Sequence, residues 1–351
     1  MPLIKNNIVI ASAGSRKTTY IVDDALSVKD EPVLITTYTN ENVKQVIDYI
    51  YKKASSVPPN IKVVTWFSFL LRDCVKPYLN KLCSFDKVNS IYFDRIPDSI
   101  RFIPKSNSDK YYFTNNKNIY RDRVSDFVCN CNNATNGLIL SRLEKVYKNI
   151  YIDEAQDLNG WDFELLKMIS ASTIKLTLVG DPRQTTYQTN NNRRAENLKS
   201  WINKNEVKNN YQIIEKNECY RSNQKICDFG DSLYPEYSTT ISKNFDTTDH
   251  DGIFIIKASE VSNYIERYSP QILRYDKNTN TFGYQALNIG VSKGRTFDRV
   301  LIFPTNPMKK YLKTKNLTDA GKIEKLYVAI TRAKYSVAFV IADNETIDLT
   351  I

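Results

Sequence analysis

Two short strings of residues have the types and spacing that phosphate chemistry requires. The first string, residues 12–18 (SAGSRKT), lies between an apolar run and a helical pattern. In such a position backbone N–H groups and a helix N-terminus face an anion. Lys17 would reach the β- and γ-phosphates of a nucleotide, and Thr18 would place its hydroxyl on Mg²⁺. The alternative is an ordinary strand–turn–helix that happens to contain Lys-Thr.

The first string departs from the usual phosphate-loop pattern G-x-x-x-x-G-K-[ST] at both glycines. Ala11 stands at the first glycine position, which is a mild change, and Arg16 stands at the second. Glycine at the second position lets the backbone approach a phosphate closely. The loop tolerates Arg16 if its φ is negative and its side chain points outward. Arg16 therefore makes the turnover rate of any hydrolysis uncertain.

The second string, residues 150–157 (IYIDEAQD), ends an apolar run with two adjacent carboxylates. Mg²⁺ prefers oxygen ligands, so Asp153 is the candidate for its coordination shell. Glu154 is placed to polarise an attacking water as a general base. Acidic residues that open a helix would produce the same pair, because they favour the helix N-terminus.

Alternating strand and helix signals surround both strings. Apolar runs predict buried strands at residues 7–11, 32–36, 61–65, 149–153 and 175–179. Helical spacing of apolar residues predicts helices between several of them, one with Asn40 or Asn42 as its N-cap. This alternation is typical of a parallel α/β sheet. Both strings then lie at the ends of buried strands of one domain. Neither a chance strand–turn–helix nor a helix that begins with acidic residues explains this shared position.

A second α/β unit is predicted from about residue 205. Its strands are expected at residues 212–214, 252–256, 286–289, 299–303 and 336–341. Its helices are expected at residues 223–233, 259–268 and 322–333. Between about 79 and 133 the periodicity weakens, which indicates an irregular insertion. We therefore predict two domains, 1–204 and 205–351, with a reduced insertion in the first.

Composition and charge narrow the classes of function. The 351 residues are 42% hydrophobic and 25% charged, as in a folded protein rather than a disordered one. Lys and Arg number 49 against 39 Asp and Glu, a net charge of +10. This excess indicates a polyanion partner, most simply nucleic acid, or else only a solvated basic surface. His250 is the single histidine, so histidine-based zinc sites and acid–base chemistry are nearly excluded.

Location and thiol state follow from the absence of targeting patterns. The N-terminal residues show no signal-peptide layout, and no apolar run approaches the ~20 residues of a membrane span. We therefore expect a cytoplasmic protein with no membrane contact and with six reduced cysteines. Cys74, Cys83, Cys129 and Cys131 could gather around an iron–sulfur cluster. Buried structural thiols are the interpretation we favour, because the spacing is irregular.

Residues 153–157 (DEAQD) resemble the DExx box of the UvrD/Rep branch of superfamily-one helicases. Strings that resemble the other family motifs appear in the family's order at residues 36–40 (TTYTN), 65–69 (TWFSF), 180–187 (GDPRQTTY), 219–222 (CYRS), 291–298 (VSKGRTFD) and 326–334 (LYVAITRAK). Each string is weak alone, but collinear motifs over most of the chain make the resemblance specific.

The resemblance implies two RecA-like P-loop NTPase domains with parallel sheets, which hydrolyse ATP between them and move on single-stranded nucleic acid. It implies nucleotide contacts from Ser12, Ala13, Gly14, Ser15, Arg16, Lys17, Thr18 and Gly294. It implies Mg²⁺ ligands at Thr18 and Asp153. It implies catalytic roles for Glu154 on water, for Gln184 as γ-phosphate sensor, and for Arg221 and Arg332 as arginine fingers.

The resemblance also implies nucleic-acid contacts from Thr37, Tyr38, Asn40, Trp66, Phe67 and Tyr187. Aromatic rings stack on bases of any sequence, but the same rings could be core residues, and for Trp66 the two interpretations are equally open. The ending Gln184-Thr185-Thr186-Tyr187 favours 3′→5′ movement, because the opposite branch usually has Gln-Leu-Pro there.

The expected function is an ATP-dependent translocase or helicase on single-stranded DNA. Arg16 and Thr296, the latter in place of the family's ribose-contacting Glu, keep open a nucleotide-gated binding subunit with weak or no hydrolysis. RNA as the track is a further alternative. The large accessory insertion of the second domain is expected to be missing, so a nuclease or a replication or defence protein is an expected partner.

Overall fold

The computed structural model describes residues 6–185, 189 and 196–349. The described chain divides into two compact units. The first unit comprises residues 6–10, 17–182, 189 and 196–215. The second unit comprises residues 11–16, 183–185 and 216–349. Two short segments that follow strands of the first unit, 11–16 and 183–185, are therefore counted with the second.

The first unit is built on a sheet of six strands among the described residues, in the order β3-β2-β6-β7-β1-β8. The strands up to residue 216 are β1 Asn6–Ala11, β2 Val33–Thr37, β3 Ile61–Thr65, β4 Ile91–Tyr92, β5 Ile119–Tyr120, β6 Asn149–Ile152, β7 Lys175–Gly180 and β8 Tyr211–Lys216. The short strands β4 and β5 pair with each other, outside the main sheet.

Helices cover the main sheet and fill the connections. They are α1 Lys17–Ser27, α2 Asn40–Ala54, α3 Trp66–Phe69, α4 Ser108–Tyr112, α5 Val124–Ala134, α6 Leu138–Val146, α7 Trp161–Ala171, α8 Leu198–Ile202 and α9 Asn205–Asn210. A π-helical turn, Leu70–Val75, continues α3. The apolar faces pack as one cluster that includes Leu34, Phe69 and Ile150. Burial of such side chains removes apolar area from water and stabilises the unit.

The pairing of the strands brings the motifs to one edge of the sheet. β1, β2, β3, β6 and β7 are joined by parallel pairings, so their carboxyl ends lie along the same edge. The segments that directly follow these ends are residues 12–16, 38–40, 66–67, 153–154 and 181–182. In open parallel sheets this edge is where ligands bind.

Three expectations for the first half are wrong. The stretch 79–133 is not irregular throughout, because α5 is a regular helix with eight buried residues. The strand at 211–216 belongs to the first sheet beside β1, whereas we expected it in the second unit. The N-cap of α2 is Thr39, whose side chain accepts a hydrogen bond from the N–H of Asn42, rather than Asn40 or Asn42.

The second unit is built on a parallel sheet of five described strands in the order β11-β15-β14-β12-β13. Its strands are β9 Glu218–Cys219, β10 Ile241–Ser242, β11 Gly252–Lys257, β12 Gln271–Arg274, β13 Leu287–Asn288, β14 Phe297–Phe303 and β15 Ala333–Ile341. Its helices are α10 Gln224–Asp231, α11 Val261–Tyr268, α12 Asn306–Thr314 and α13 Ile323–Ile330. The sequence reading missed β12 and α12.

Candidate nucleotide and nucleic-acid site

The phosphate-loop string lies between β1 and α1, as the sequence predicts. Gly14 has a φ of +76°, a left-handed conformation that glycine adopts without steric cost. The hydroxyls of Ser12 and Ser15 are buried and, in the part of the chain that the structure describes, have no hydrogen-bond partner. Buried hydroxyls normally find a partner. Unpartnered donors beside a helix N-terminus fit the phosphate oxygens of a nucleotide.

From the sequence we expected the loop to accommodate Arg16 only if its φ were negative, and this condition is not met. Its φ is +59°, the left-handed region in which glycine is favoured. Its side chain stacks on Tyr220, with the guanidinium carbon 3.8 Å from the ring centroid. The loop thus keeps the backbone shape expected for glycine at this position, and the arginine side chain is held by an aromatic ring.

Thr18 and Asp153 are brought together in the first unit. The hydroxyl of Thr18 donates a hydrogen bond of 3.1 Å to Oδ2 of Asp153. Burial, together with the nearby charge of Glu154, raises the pKa of Asp153 to about 6, and Lys17 opposes this rise. A buried carboxylate beside a hydroxyl is a donor set that suits Mg²⁺, and a cation there would stabilise the charged carboxylate.

Gln156 links the segment that follows β6 to the segment that follows β7. We did not predict this residue as part of the site from the sequence. Its side-chain amide donates a hydrogen bond to Glu154 and its Oε1 accepts one of 3.0 Å from the N–H of Asp181. A Cβ on Gly180 would lie 2.5 Å from Oε1 of Gln156, so a side chain at residue 180 would displace the Gln156 amide. Gln156 is a positioning residue for Glu154, and its place inside the string DEAQD was the only available signal.

Arg221 lies beside the phosphate-loop residues within the second unit. A Cβ on Gly14 would lie 2.8 Å from Cβ of Arg221, and the N–H of Tyr220 donates 3.0 Å to the carbonyl of Gly14. The guanidinium of Arg221 donates 3.0 Å to the carbonyl of Thr331. The close approach explains why residue 14 has no side chain.

Gln184 and Arg332, two of the predicted catalytic residues, contact each other within the second unit. Nη2 of Arg332 donates a hydrogen bond of 3.0 Å to Oε1 of Gln184. Arg332 is 2% exposed, and its Nε donates to the carbonyl of Val328. It is therefore a buried, oriented cation and not a surface ion-pair residue.

Gly294, at φ +82°, lies in an exposed turn before β14.

The predicted nucleic-acid residues fall into different environments. Asn40 is exposed and Tyr38 is half-buried, whereas Thr37 is buried with an unpartnered hydroxyl among the described residues. Trp66 is 1% exposed and donates 3.0 Å to Oδ1 of Asp162, which decides for the core interpretation of this ring. Phe67 is 6% exposed. Tyr187 lies outside the described residues.

All six cysteines are free thiols, five of them buried and Cys83 half-buried. Burial raises the pKa of Cys74 and of Cys129 well above the usual value of a thiol. Within residues 6–185, 189 and 196–349, no group of three or more His, Cys, Asp or Glu side chains could hold a metal ion. Buried structural thiols, the favoured interpretation, agree with these positions.

The described helices are too short or too polar to span a membrane. None of them combines enough residues with enough apolar character to cross a bilayer.

Comparison with known proteins gives two sequence matches. Residues 105–194 match the family described as the UvrD/REP helicase N-terminal domain. A 98-residue stretch is 36% identical to the "Probable DNA helicase II homolog" of Mycoplasma capricolum subsp. capricolum. That stretch is 28% of this chain and 13% of the relative, so the chain matches only a small part of that protein. Both matches confirm the resemblance that the motifs indicate.

Two solved structures of a similar fold are the helicase nonstructural protein 10 of Arterivirus, one of them in complex with DNA. Their TM-scores are 0.50, with sequence identities of 14% and 13%. Each match covers 97% of this chain, and covers 60% and 62% of the two viral chains. At this identity the likeness concerns the fold alone, and it confirms the parallel α/β architecture expected of RecA-like domains.

Proposed function

We propose, from the similarity of this chain to UvrD-like superfamily-one helicases, that it is an ATP-hydrolysing translocase or helicase on single-stranded DNA that moves 3′→5′. The observation that carries the proposal is the hydrogen bond between Thr18 and Asp153. It joins the phosphate-loop string to the DExx string at the ends of two strands of one parallel sheet. An ordinary strand–turn–helix would not need a buried carboxylate at this place.

The roles of the residues follow from their chemistry. When bound, ATP supplies the γ-phosphoryl group and Mg²⁺ neutralises charge that develops on its oxygens. Lys17 holds the phosphates by charge, and Thr18 with Asp153 holds the metal. Glu154 accepts the proton of the attacking water at its carboxylate, in an orientation that Gln156 fixes. The residues present fit this group, since Ser12 and Ser15 offer buried, unpartnered donors.

Gln184, Arg221 and Arg332 are proposed to act on the transferring phosphoryl group. The contact between Gln184 and Arg332 gives the sensor and one cation a fixed mutual orientation. A preorganised cation stabilises transition-state charge without having to reorganise during the reaction. Gly294 is proposed as a further nucleotide contact.

Single-stranded DNA is proposed as the track, with Thr37, Tyr38, Asn40, Phe67 and Tyr187 as the contact residues. The net charge of +10 supports a polyanion partner. The 3′→5′ direction rests on residues 184–187 alone, so duplexes with a single 3′ or 5′ tail test it. Displacement only from the 3′-tailed duplex is expected, and displacement only from the 5′-tailed duplex would reverse it. We keep a cytoplasmic location and a nuclease, replication or defence partner as proposals.

Phosphate release tests the proposal directly. Purified chain is incubated with Mg²⁺-ATP, with and without a (dT) oligonucleotide, beside the Lys17→Ala variant. We expect release to be stimulated at least tenfold by the oligonucleotide and to be lost in Lys17→Ala. Stimulated release that survives the loss of Lys17 would show that the phosphate-loop assignment is wrong.

A nucleotide-gated binding subunit with weak or no hydrolysis is the second candidate, and Arg16 in place of the usual glycine favours it, as does Thr296 in place of the usual Glu. It predicts ATP-dependent oligonucleotide binding with negligible phosphate release, and recovery of release in Arg16→Gly. Substantial turnover in the unmodified chain would exclude it.

RNA as the track is the remaining alternative. Parallel titrations of phosphate release with (dT) and (rU) oligonucleotides of equal length decide it. Stronger stimulation by RNA at equal concentration would replace DNA in the proposal.

A further inference from the structure

Three aromatic residues of the first unit form a continuous row. The ring centroids of Tyr38 and Phe67 are 6.0 Å apart, and those of Phe67 and Phe93 are 5.5 Å apart with an edge-on angle of 89°. Tyr38 and Phe67 follow β2 and β3 at the carboxyl edge of the sheet, and both are proposed nucleic-acid contacts. Phe93 comes from a different part of the chain, the stretch 79–133.

The burial of the three rings differs in a way that singles out Phe93. Phe67, at the position that the family resemblance assigns to nucleic acid, is only 6% exposed and is flanked by the other two rings. Phe93 is 55% exposed. A ring must present an open face for a base to stack on it. In this row Phe93 is the most exposed ring, and Phe67 packs edge-on against it.

The position of Phe93 is fixed by its neighbours. It directly follows β4, which pairs with β5, and Tyr92 packs edge-on against Tyr120 with centroids 5.6 Å apart. Arg95 and Arg101 lie close by along the chain, and both form exposed ion pairs with the same carboxylate, Asp98. Asp94 also lies in this segment, so its two arginines balance its two aspartates, and the case for Phe93 rests on its exposed ring.

We infer that Phe93 is a base-stacking residue of the single-stranded nucleic-acid site, supplied by the stretch 79–133 and supported by Phe67 and Tyr38. The inference rests on the proposed function, since it assumes that the carboxyl edge of the first sheet binds nucleic acid. The inference adds to the nucleic-acid site a residue that lies outside the family motifs. It also assigns the stretch 79–133 a role in binding the single-stranded nucleic acid.

Phe102 provides a matched control. It is the same residue type, lies in the same stretch and is 89% exposed, yet it contacts no other ring in the part of the chain that the structure describes. Affinity for a fluorescein-labelled (dT) oligonucleotide is measured by anisotropy without nucleotide, for the full chain and for Phe93→Ala, Phe93→Leu, Phe93→Trp and Phe102→Ala. Thermal unfolding of each variant checks that it is folded.

The expected result is a loss of affinity of roughly fivefold to a hundredfold in Phe93→Ala, which is the usual effect of removing one stacked ring. Phe93→Leu should lose a similar factor because it keeps apolar area but has no π-face. Phe93→Trp and Phe102→Ala should stay within about twofold of the unmodified chain. Basal phosphate release without oligonucleotide should be unchanged in the control variant Phe102→Ala, because Phe102 belongs to none of the proposed sites.

The outcomes separate this inference from the proposed function. If the unmodified chain binds the oligonucleotide and Phe93→Ala binds it equally well, the inference is wrong and the proposed function stands. Equal losses in Phe93→Ala and Phe102→Ala would also overturn it, since they would indicate a nonspecific apolar effect. If the unmodified chain binds no oligonucleotide, the proposed function itself fails.

Discussion

Two residues of the candidate site, Arg16 and Glu154, have left-handed backbone conformations without being glycine. Their φ values are +59° and +56°. For residues with a Cβ this region costs about 1–2 kcal/mol, and such strain concentrates at functional sites. At Arg16 the strain sits where the usual phosphate loop has glycine. At Glu154 it sits on the proposed general base, which Gln156 holds.

Substitution of Arg16 tests the conformation of the loop. We predict that Arg16→Gly is more stable than Arg16→Ala by about 1 kcal/mol in the free energy of unfolding, because only glycine removes the strain of a positive φ. Both variants lose the stacking on Tyr220, so the comparison isolates the backbone. Urea denaturation measures both. An alanine variant as stable as the glycine variant would contradict the left-handed φ.

At the scale of elements, one buried carboxylate ties three helices together. Asp162 at the start of α7 accepts hydrogen bonds from Nε1 of Trp66 in α3, from the hydroxyl of Ser125 in α5 and from the N–H of Asn159. The hydroxyl of Thr189 donates to it as well. Because Trp66 directly follows β3, this node positions the segment that carries Phe67.

Removal of this acceptor should be strongly destabilising. In Asp162→Ala the donors of Trp66, Ser125 and Asn159 lose their partner while they remain buried, so we predict a loss of about 2–4 kcal/mol in the free energy of unfolding. Glu164→Ala, at an exposed position of the same helix, should stay within about 0.5 kcal/mol of the unmodified chain. Urea denaturation measures the free energy of unfolding of both variants. Equal losses in Asp162→Ala and Glu164→Ala would show that the hydrogen bonds to Asp162 do not stabilise the fold.

The pH dependence of stability gives a second test of Asp162. Burial raises its pKa, so the folded state holds the proton more tightly than the unfolded state. Its contribution to stability is then complete below the unfolded pKa, about 3.9, and is lost as pH rises through the folded pKa. We predict that the stability of the unmodified chain, relative to Asp162→Asn, decreases from pH 4 to pH 7. A relative increase would show that the hydrogen bonds outweigh burial.

The elements differ in how far the sequence predicts them. β3 was predicted with its observed bounds because Pro58, Pro59 and Asn60 precede it and because Thr65, its last residue, caps the helix that follows. α5 was missed because its buried face includes Ser125, Asp126 and Asn132, so the apolar period of a helix is masked. β8 was given to the wrong unit, because the choice of sheet depends on pairing with β1, about 200 residues earlier in the chain.

The residues of the site also differ in how far the sequence predicts their positions. Thr18 and Asp153 could be paired from the sequence, because both follow buried strands of one predicted sheet. The orientation of Arg16, the burial of Trp66 and the exposure of Phe93 depend on tertiary packing, which a single sequence does not encode locally. Phe93 in particular lies in a stretch without periodicity, where no motif marks it.

At the scale of the whole molecule, the chain combines two units on parallel sheets with a set of motifs distributed between them. The first unit contains Thr18, Asp153 and Glu154 at the carboxyl edge of its sheet, and the second contains Arg221 and the pair formed by Gln184 and Arg332. If the proposed function is right, a variant in either set should lose the nucleic-acid-stimulated rate of hydrolysis.

We propose that Glu154 activates water for ATP hydrolysis in a nucleic-acid-stimulated motor, and replacement of its carboxylate by an amide isolates this role. Phosphate release with saturating (dT) oligonucleotide is compared between the unmodified chain and Glu154→Gln, with ATP binding measured in parallel. We predict that Glu154→Gln lowers release at least a hundredfold while ATP still binds, because the amide is nearly isosteric but cannot accept the proton. Oligonucleotide-stimulated release that persists at the unmodified rate in Glu154→Gln would show that Glu154 is not the general base.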